Sequence, residues 1–389
     1  MYFAAFILKN LTRRPVRTAL TVLGLAVTVG SMIALLAVSH NVERSVESAF
    51  DTRRVDLVVL QANKPLGLDS DFREYMVEQV RSWTDVVDRV SEGVVSTANT
   101  IRDSGSVNEN TFLVQGWKPD NFGFEDMALL SGEMLKAEDT HKIMLGEKRA
   151  SAMGKKVGDT VTFVADPEHP YTVVAVYKSP VVFEDGGAIV PFADGQALTG
   201  KRVTGFSIRV KRGTADGAAE IAAVQQRVAD LRDPKDPTAR LDAQPPDKYV
   251  QSVSQLKLIK AVSWLVSAIA FAVGTITMLN TMAMSVLERT HEIGILRAVG
   301  WPRSRVIRMI LGEAAMIALG ATLAGLLISF VGMQSLTLSP KVNGFIEPDL
   351  SLVVILKGAA ITLLIGLIGG AYPAYRAARL LPTEALRHD

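Results

Sequence analysis

His291-Glu292 is the first place in this chain to look for metal chemistry, because a zinc-protease helix reads His-Glu-x-x-His so that two imidazoles share one face. The position the second imidazole needs holds Ile295. Five histidines occur, at 40, 141, 169, 291 and 388, and no two have ligand spacing, so no metal is expected. Cysteine is absent, which removes thiolate metal sites, disulfides and lipidated cysteines. Gly154-Lys155-Lys156 lacks both the upstream glycine and the hydroxyl residue of a phosphate-cradling P-loop. No Gly-x-Ser-x-Gly nucleophile elbow is present. Glu184 and Asp185 are adjacent carboxylates that could act as an acid/base pair, but with Gly186 and Gly187 behind them they read as a solvated tight turn. No catalytic residue and no bound cofactor are expected, and energy for any uphill work must come from elsewhere.

The elements that would position function are dominated by apolar runs. Hydrophobic residues make up 48% of the 389, and aliphatics concentrate in four stretches. Thr18–Val38 gives 21 residues without a charge, Ala261–Leu287 gives 27 and Ala314–Pro340 gives 27, while Leu350–Tyr375 is interrupted only by Lys357. About 20 apolar residues span the hydrocarbon core as a helix, and in lipid only helices or closed barrels satisfy their backbone groups. At 21 uncharged residues the first run exceeds a signal-peptide core, so it reads as a retained span. Lys9, Arg13, Arg14 and Arg17 precede it; Arg289, Arg297, Arg303, Arg305 and Arg308 lie between the second and third runs; Arg376, Arg379 and Arg387 follow the fourth. Positive flanks mark the cytoplasmic side. Both termini and the loop after the second span are therefore placed inside, and the segment before it, with 28 Lys and Arg against 33 Asp and Glu over 41–260, outside.

The expected organisation is a cytoplasmic amphipathic helix at 1–17, built on Tyr2, Phe3, Phe6, Ile7 and Leu11, then a span at 18–38. An extracytoplasmic α+β domain with helical stalk segments occupies 39–260. Further spans follow at 261–287, 309–340 and 350–375, separated by a cytoplasmic loop at 288–308 and an outer loop at 341–349, with a tail at 376–389. Within the outer domain, Val55–Leu60, Thr111–Gln115, Thr160–Ala165, Tyr171–Tyr177, Gly187–Val190 and Phe206–Val210 are rich in β-branched and aromatic residues and predict strands. Phe72–Trp83 and Ala215–Leu231 predict helices. In the membrane, Gly366 with Gly370 and Gly320 with Ala324 offer small faces for close helix packing, within or between subunits. Glu313 and Lys357 lie near span ends, where a counter-charge or the interface serves them. No polar path crosses the midplane, which argues against a channel for hydrophilic solutes.

The inner loop is the most informative stretch. Met278–Gly300 reads MLNTMAMSVLERTHEIGILRAVG. Glu292 and Arg297 with Ile293, Ile295 and Leu296 predict a short amphipathic helix ending at Gly300, suited to a partner's groove. This motif resembles the signature of the FtsX/MacB-like (type VII) ABC transporter permeases. Asn10–Gly24, NLTRRPVRTALTVLG, is similar to the family's opening, and Gly158–Phe163 with Tyr171–Val176 is similar to its periplasmic core domain. Trp301-Pro302 departs from the smaller residues usual after the motif.

The resemblance implies a four-span membrane protein with a MacB-like periplasmic core domain, seated in the bacterial inner membrane. It implies a permease driven by two copies of a separate ATP-binding subunit that carry the ATP and Mg²⁺, paired with a second permease copy or paralogue among membrane lipids, and with no nucleic acid. ATPase-coupling residues carried over from the motif are Glu288, Arg289, Glu292, Ile293, Gly294, Leu296, Arg297, Ala298 and Gly300. Export or extraction of a lipid, lipoprotein or small molecule is the implied activity. Regulation of an envelope protein without transport, or a sensor or scaffold, is the alternative, and a periplasmic adaptor or outer-membrane partner stays open.

Overall fold

The computed structural model describes residues 15–64, 69–101, 107–212, 217–236, 239–252, 254–337 and 350–380. The surface helix expected in the first 14 residues, the outer loop at 341–349 and the tail beyond 380 lie outside them. The chain divides into a helical unit (1–40, 260–335 and 348–389) and an α/β unit (41–259 with 336–347).

Among the described residues, four helices are long and apolar enough to cross a membrane. They are α1 (Pro15–Thr52), and α8 (Ser254–Glu288), α10 (Arg303–Thr337) and α11 (Leu352–Ala378), numbered in chain order with those below. Even the shortest, at 27 residues, reaches about 40 Å at 1.5 Å per residue, beyond the ~30 Å hydrocarbon core. Leu20, Leu23, Val27, Trp264, Leu323 and Leu327 face outward, as lipid contact requires. The interior of the helical unit is filled by Leu25, Met278, Met282, Ile310, Ala314 and Ile365, and by Val29, Met32, Ile33, Ala270 and Val354.

Small residues set the helix spacing. A Cβ on Gly30 would lie 2.8 Å from the Gly325 carbonyl oxygen, so α1 and α10 meet backbone to backbone. On Gly366 and Gly370 it would lie 2.9 Å from the Cβ of Ala318 and Ala314, which makes this pair a seam within the chain. Gly358 rests on Ile33 and Gly369 on Met278. At Gly320, in the Gly320–Ala324 pair, the fit within the chain is looser: a Cβ there would sit 3.8 Å from Val22, an ordinary contact. Gly30→Leu and Gly366→Leu are each expected to cost about 1–3 kcal/mol by overpacking. Gly320→Ala should stay within about 0.5 kcal/mol. Unfolding of the detergent-solubilised chain checks the difference.

The α/β unit is built on one ten-stranded sheet. Its elements are β1 (Leu57–Gln61), α2 (Glu74–Arg81), β2 (Val87–Ile101), β3 (Val107–Trp117), β4 (Ala128–Gly132), β5 (Lys142–Gly146), α3 (Glu147–Met153), β6 (Thr160–Phe163), β7 (Asp166–Lys178), α4 (Val182–Asp185), β8 (Ala188–Pro191), α5 (Phe192–Thr199), β9 (Gly205–Val210), α6 (Ala218–Asp230), β10 (Leu241–Gln244) and α7 (Pro246–Ser252). Strand order is β10-β1-β9-β2-β3-β8-β5-β7-β4, with β6 joining β2 and β7. Most pairs are antiparallel, whereas β3–β8 and β5–β7 are parallel. Two cores result: α2 and α6 cover Leu57, Val59, Val90, Phe206 and Ile208, while Phe112, Ile143, Leu145, Phe163, Tyr171 and Val173 pack together around α3.

The six expected strands are all present, with ends shifted by a few residues. The 15-residue β2 is additional and central, pairing with β3, β6 and β9. Glu184-Asp185 is not a solvated turn: the side chains lie on α4 and the residues are 6% and 2% exposed. Packing explains the difference. A Cβ on Gly187 would strike the Leu113 carbonyl, and one on Gly146 the Asp185 carbonyl, so these glycines let α4 sink onto the sheet.

Candidate coupling site

The C-terminal end of α8 and the N-terminal end of α10 are joined by α9 (Thr290–Ala298). Its C-terminus is closed by two backbone bonds, Gly300 N–H to the Arg297 carbonyl (3.1 Å) and Trp301 N–H to the Leu296 carbonyl (3.0 Å). Gly300 stands at φ +97°, the left-handed position this closure reserves for glycine. Trp301 therefore terminates the helix, with Arg305 over its ring at 5.3 Å, and Pro302 leads into α10. The departure at Trp301-Pro302 is accommodated within the turn.

Ion pairs hold the corner from both sides. Arg289 Nη1 donates to Glu313 Oε1 at 2.9 Å, both side chains largely enclosed. Arg17, near the start of α1, donates to Glu288 Oε2 at 2.5 Å and to the Thr281 carbonyl at 2.7 Å, bracing α1 against α8. Arg297 Nη1 donates to the Trp301 carbonyl at 2.8 Å.

These contacts divide the residues carried over from the motif. Ile293, 2% exposed, and Gly294 are buried, and with half-buried Leu296 they press α9 onto Val306, Met309 and Ile310. Arg289 and Arg297 turn inward to Glu313 and the Trp301 carbonyl, and Glu288 is engaged by Arg17. Glu292 and Ala298 face solvent, joined by His291, Ile295 (44% exposed) and Val299 (77% exposed). Ile295 is thus on the opposite side from Ile293 and Leu296. Val299 was not among the carried-over positions, although 292, 295 and 299 have the i, i+3, i+7 spacing of one helical face. An acidic residue beside two aliphatic ones, on a helix clamped at both ends, is suited to seat in a partner's groove.

A second assembly, in the α/β unit, fixes the distal end of α1. The helix ends with Arg54 at φ +50° and Val55 N–H bonded to the Phe50 carbonyl. Arg53 sends a forked pair of hydrogen bonds to Glu184, at 2.8 and 2.7 Å, and a third to Asp126 at 2.9 Å. Ser179 Oγ donates to Glu184 Oε2 (2.5 Å), Tyr177 Oη to the Glu184 carbonyl (2.8 Å), and Arg209 Nε to the Arg53 carbonyl (2.8 Å). Burial alone would lower the Arg53 guanidinium, but the charges and hydrogen bonds of Glu184 and Asp126 outweigh it and hold the group above its usual value. Burial pushes the Asp126 carboxyl up, and Arg53 only partly offsets that. Phe50 meets Tyr249 of α7 edge-on at 5.7 Å, tying the segments that begin and end this unit.

Residues 18–231 match the family described as MacB-like periplasmic core domain, and residues 264–382, which contain α9, match FtsX-like permease C-terminal. The macrolide export ATP-binding/permease protein MacB of Azoarcus sp. (strain BH72) is 26% identical over 387 residues, covering 96% of this chain and 57% of that protein. MacB of Agrobacterium fabrum is 27% identical, covering 96% and 58%. This chain thus spans less than three fifths of those relatives. The uncharacterized ABC transporter permease YknZ of Bacillus subtilis is 24% identical, with 98% of each chain covered. The crystal structure of the periplasmic region of MacB from Actinobacillus actinomycetemcomitans superposes with a TM-score of 0.38 and 15% identity, covering 51% of this chain and 91% of that one.

Proposed function

Because this chain belongs to the MacB-like periplasmic core domain family and carries an FtsX-like permease C-terminal segment, we propose that it is a permease subunit that converts ATP-driven motion in the cytoplasm into motion outside the inner membrane. The chain is a multi-pass membrane protein of the ABC transporter permease class. The reading goes further. It places both termini and α9 in the cytoplasm and the α/β unit in the periplasm.

The observation that carries it is the solvent-facing Glu292, Ile295 and Val299 on a helix whose other side is locked into the spans. These 389 residues hold no P-loop, so nucleotide hydrolysis is supplied from outside them. The near end-to-end match to a permease chain favours a separate ATP-binding subunit. Two such subunits closing on ATP and Mg²⁺ push the α9 corners of two permease copies. The displacement passes outward along α1 and α8. The substrate class is an apolar or amphipathic small molecule, a lipid or a lipoprotein. The macrolides for which the MacB relatives are named fall within it.

Copurification from native membranes tests the reading. An ATP-binding subunit is expected to accompany the wild-type chain and to be lost when residues 289–300 are scrambled. Full activity of the reconstituted chain without any nucleotide-hydrolysing companion refutes the proposal.

A further inference from the structure

The α/β unit brings together three side chains that the sequence keeps apart. His141 immediately precedes β5, whereas Asp166 and His169 open β7, and the parallel β5–β7 ladder places Lys142 opposite Thr172. The tight β6–β7 turn sets Phe163 opposite Asp166. The imidazoles of His141 and His169 stack with ring centroids 4.8 Å apart. Asp166 lies between them, its Oδ1 2.7 Å from His169 Nδ1 and its Oδ2 3.9 Å from His141 Nε2. One ligand atom from each residue lies within 4.8 Å of the other two.

Two features fix the cluster from behind. Asp194 Oδ2 accepts from the His141 backbone N–H at 2.6 Å, holding a residue at φ +52°. Tyr171, two residues beyond His169, is fully buried against Phe163 and edge-on to the His141 ring at 5.4 Å. Its hydroxyl is enclosed and makes no hydrogen bond. A buried donor without a partner is costly, and a metal-bound carboxylate or water is the acceptor it lacks.

We propose that His141, Asp166 and His169 form a site for a divalent first-row cation of the Zn²⁺ class, with Tyr171 as its supporting donor. Two imidazoles, borderline nitrogen ligands, joined by one carboxylate favour Zn²⁺ over Ca²⁺ or Mg²⁺, which take oxygen ligands. Zn–ligand bonds of about 2.1 Å require ligand atoms about 3.4 Å apart. The half-exposed imidazoles reach that spacing by side-chain rotation, and the proton between His169 and Asp166 leaves as the cation enters. Three protein ligands leave a fourth position for water. The bound cation cross-links the segment before β5 to the β6–β7 arm.

The test uses the full chain, purified in detergent with a tag other than polyhistidine, stripped with chelator and titrated with ZnCl₂. Co²⁺ absorption reports the coordination. One Zn²⁺ per chain is expected. His141→Ala and His169→Gln should each weaken binding at least about 100-fold, Tyr171→Phe about 10-fold, and His40→Ala not at all. His169 is largely exposed, so His169→Gln keeps the readout clear of folding defects. Absence of saturable one-to-one binding, or affinity unchanged in both His141→Ala and His169→Gln, overturns the assignment.

Discussion

Glu292→Lys combined with Val299→Asp should abolish ATP-driven activity while leaving the chain folded. Both residues are exposed, and the buried side of α9, formed by Ile293 and Gly294, is unchanged. Each change instead places a wrong charge or a polar group in the partner's groove. Losing one interface hot spot costs about 2 kcal/mol, or about thirty-fold in affinity. Two such losses on one face put the complex out of reach at ordinary concentrations. ATPase stimulation and pull-down of the ATP-binding subunit measure the loss, with the melting temperature as control. Gly294→Trp should also lose activity, but with a lowered melting temperature, because Gly294 is buried. Full stimulation by the double variant would remove the docking face from the mechanism.

Arg53→Ala should destabilise the chain by about 3–5 kcal/mol, the usual cost of stranding one member of a buried ion cluster. Glu184 and Asp126 would remain in place without their cation. Burial already raises the Asp126 carboxyl, and loss of Arg53, which partly offsets that, raises it further. The contribution of Asp126 in the variant is therefore most favourable at low pH and is lost as pH rises through its raised value. The deficit relative to wild type should narrow between pH 7 and pH 4. Replacing Arg53, Glu184 and Asp126 together with apolar residues of similar size should recover most of the loss. Thermal unfolding against pH follows both effects. Equal deficits at pH 7 and pH 4 would argue against a charge origin.

The spans were legible because length without charge is a one-dimensional signal that lipid imposes directly. Strands such as Phe206–Val210 were legible because β-branched and aromatic residues alternate there. The central β2 was not, since its run of Asp, Arg, Ser, Glu, Thr and Asn reads as polar and becomes a strand through three neighbours. Glu184-Asp185 misled for a local reason: two acids before two glycines look like a turn. Arg53 lies 131 positions from Glu184, so nothing local marks it as the partner. The motif pointed to α9, but neighbouring spans decide which way each of its side chains points. Ile295 and Arg297 therefore exchange the roles a bare helical pattern gives them. His141, just before β5, and His169, on β7, were hidden likewise, because strand pairing rather than spacing unites them.

The contacts at Gly30–Gly325, Gly358–Ile33, Gly366–Ala318 and Gly369–Met278 connect α1, α8, α10 and α11 with backbones in near contact. Helices that near leave little room for a lane between them, so under the transport role proposed above a substrate would be met on their lipid-facing flanks.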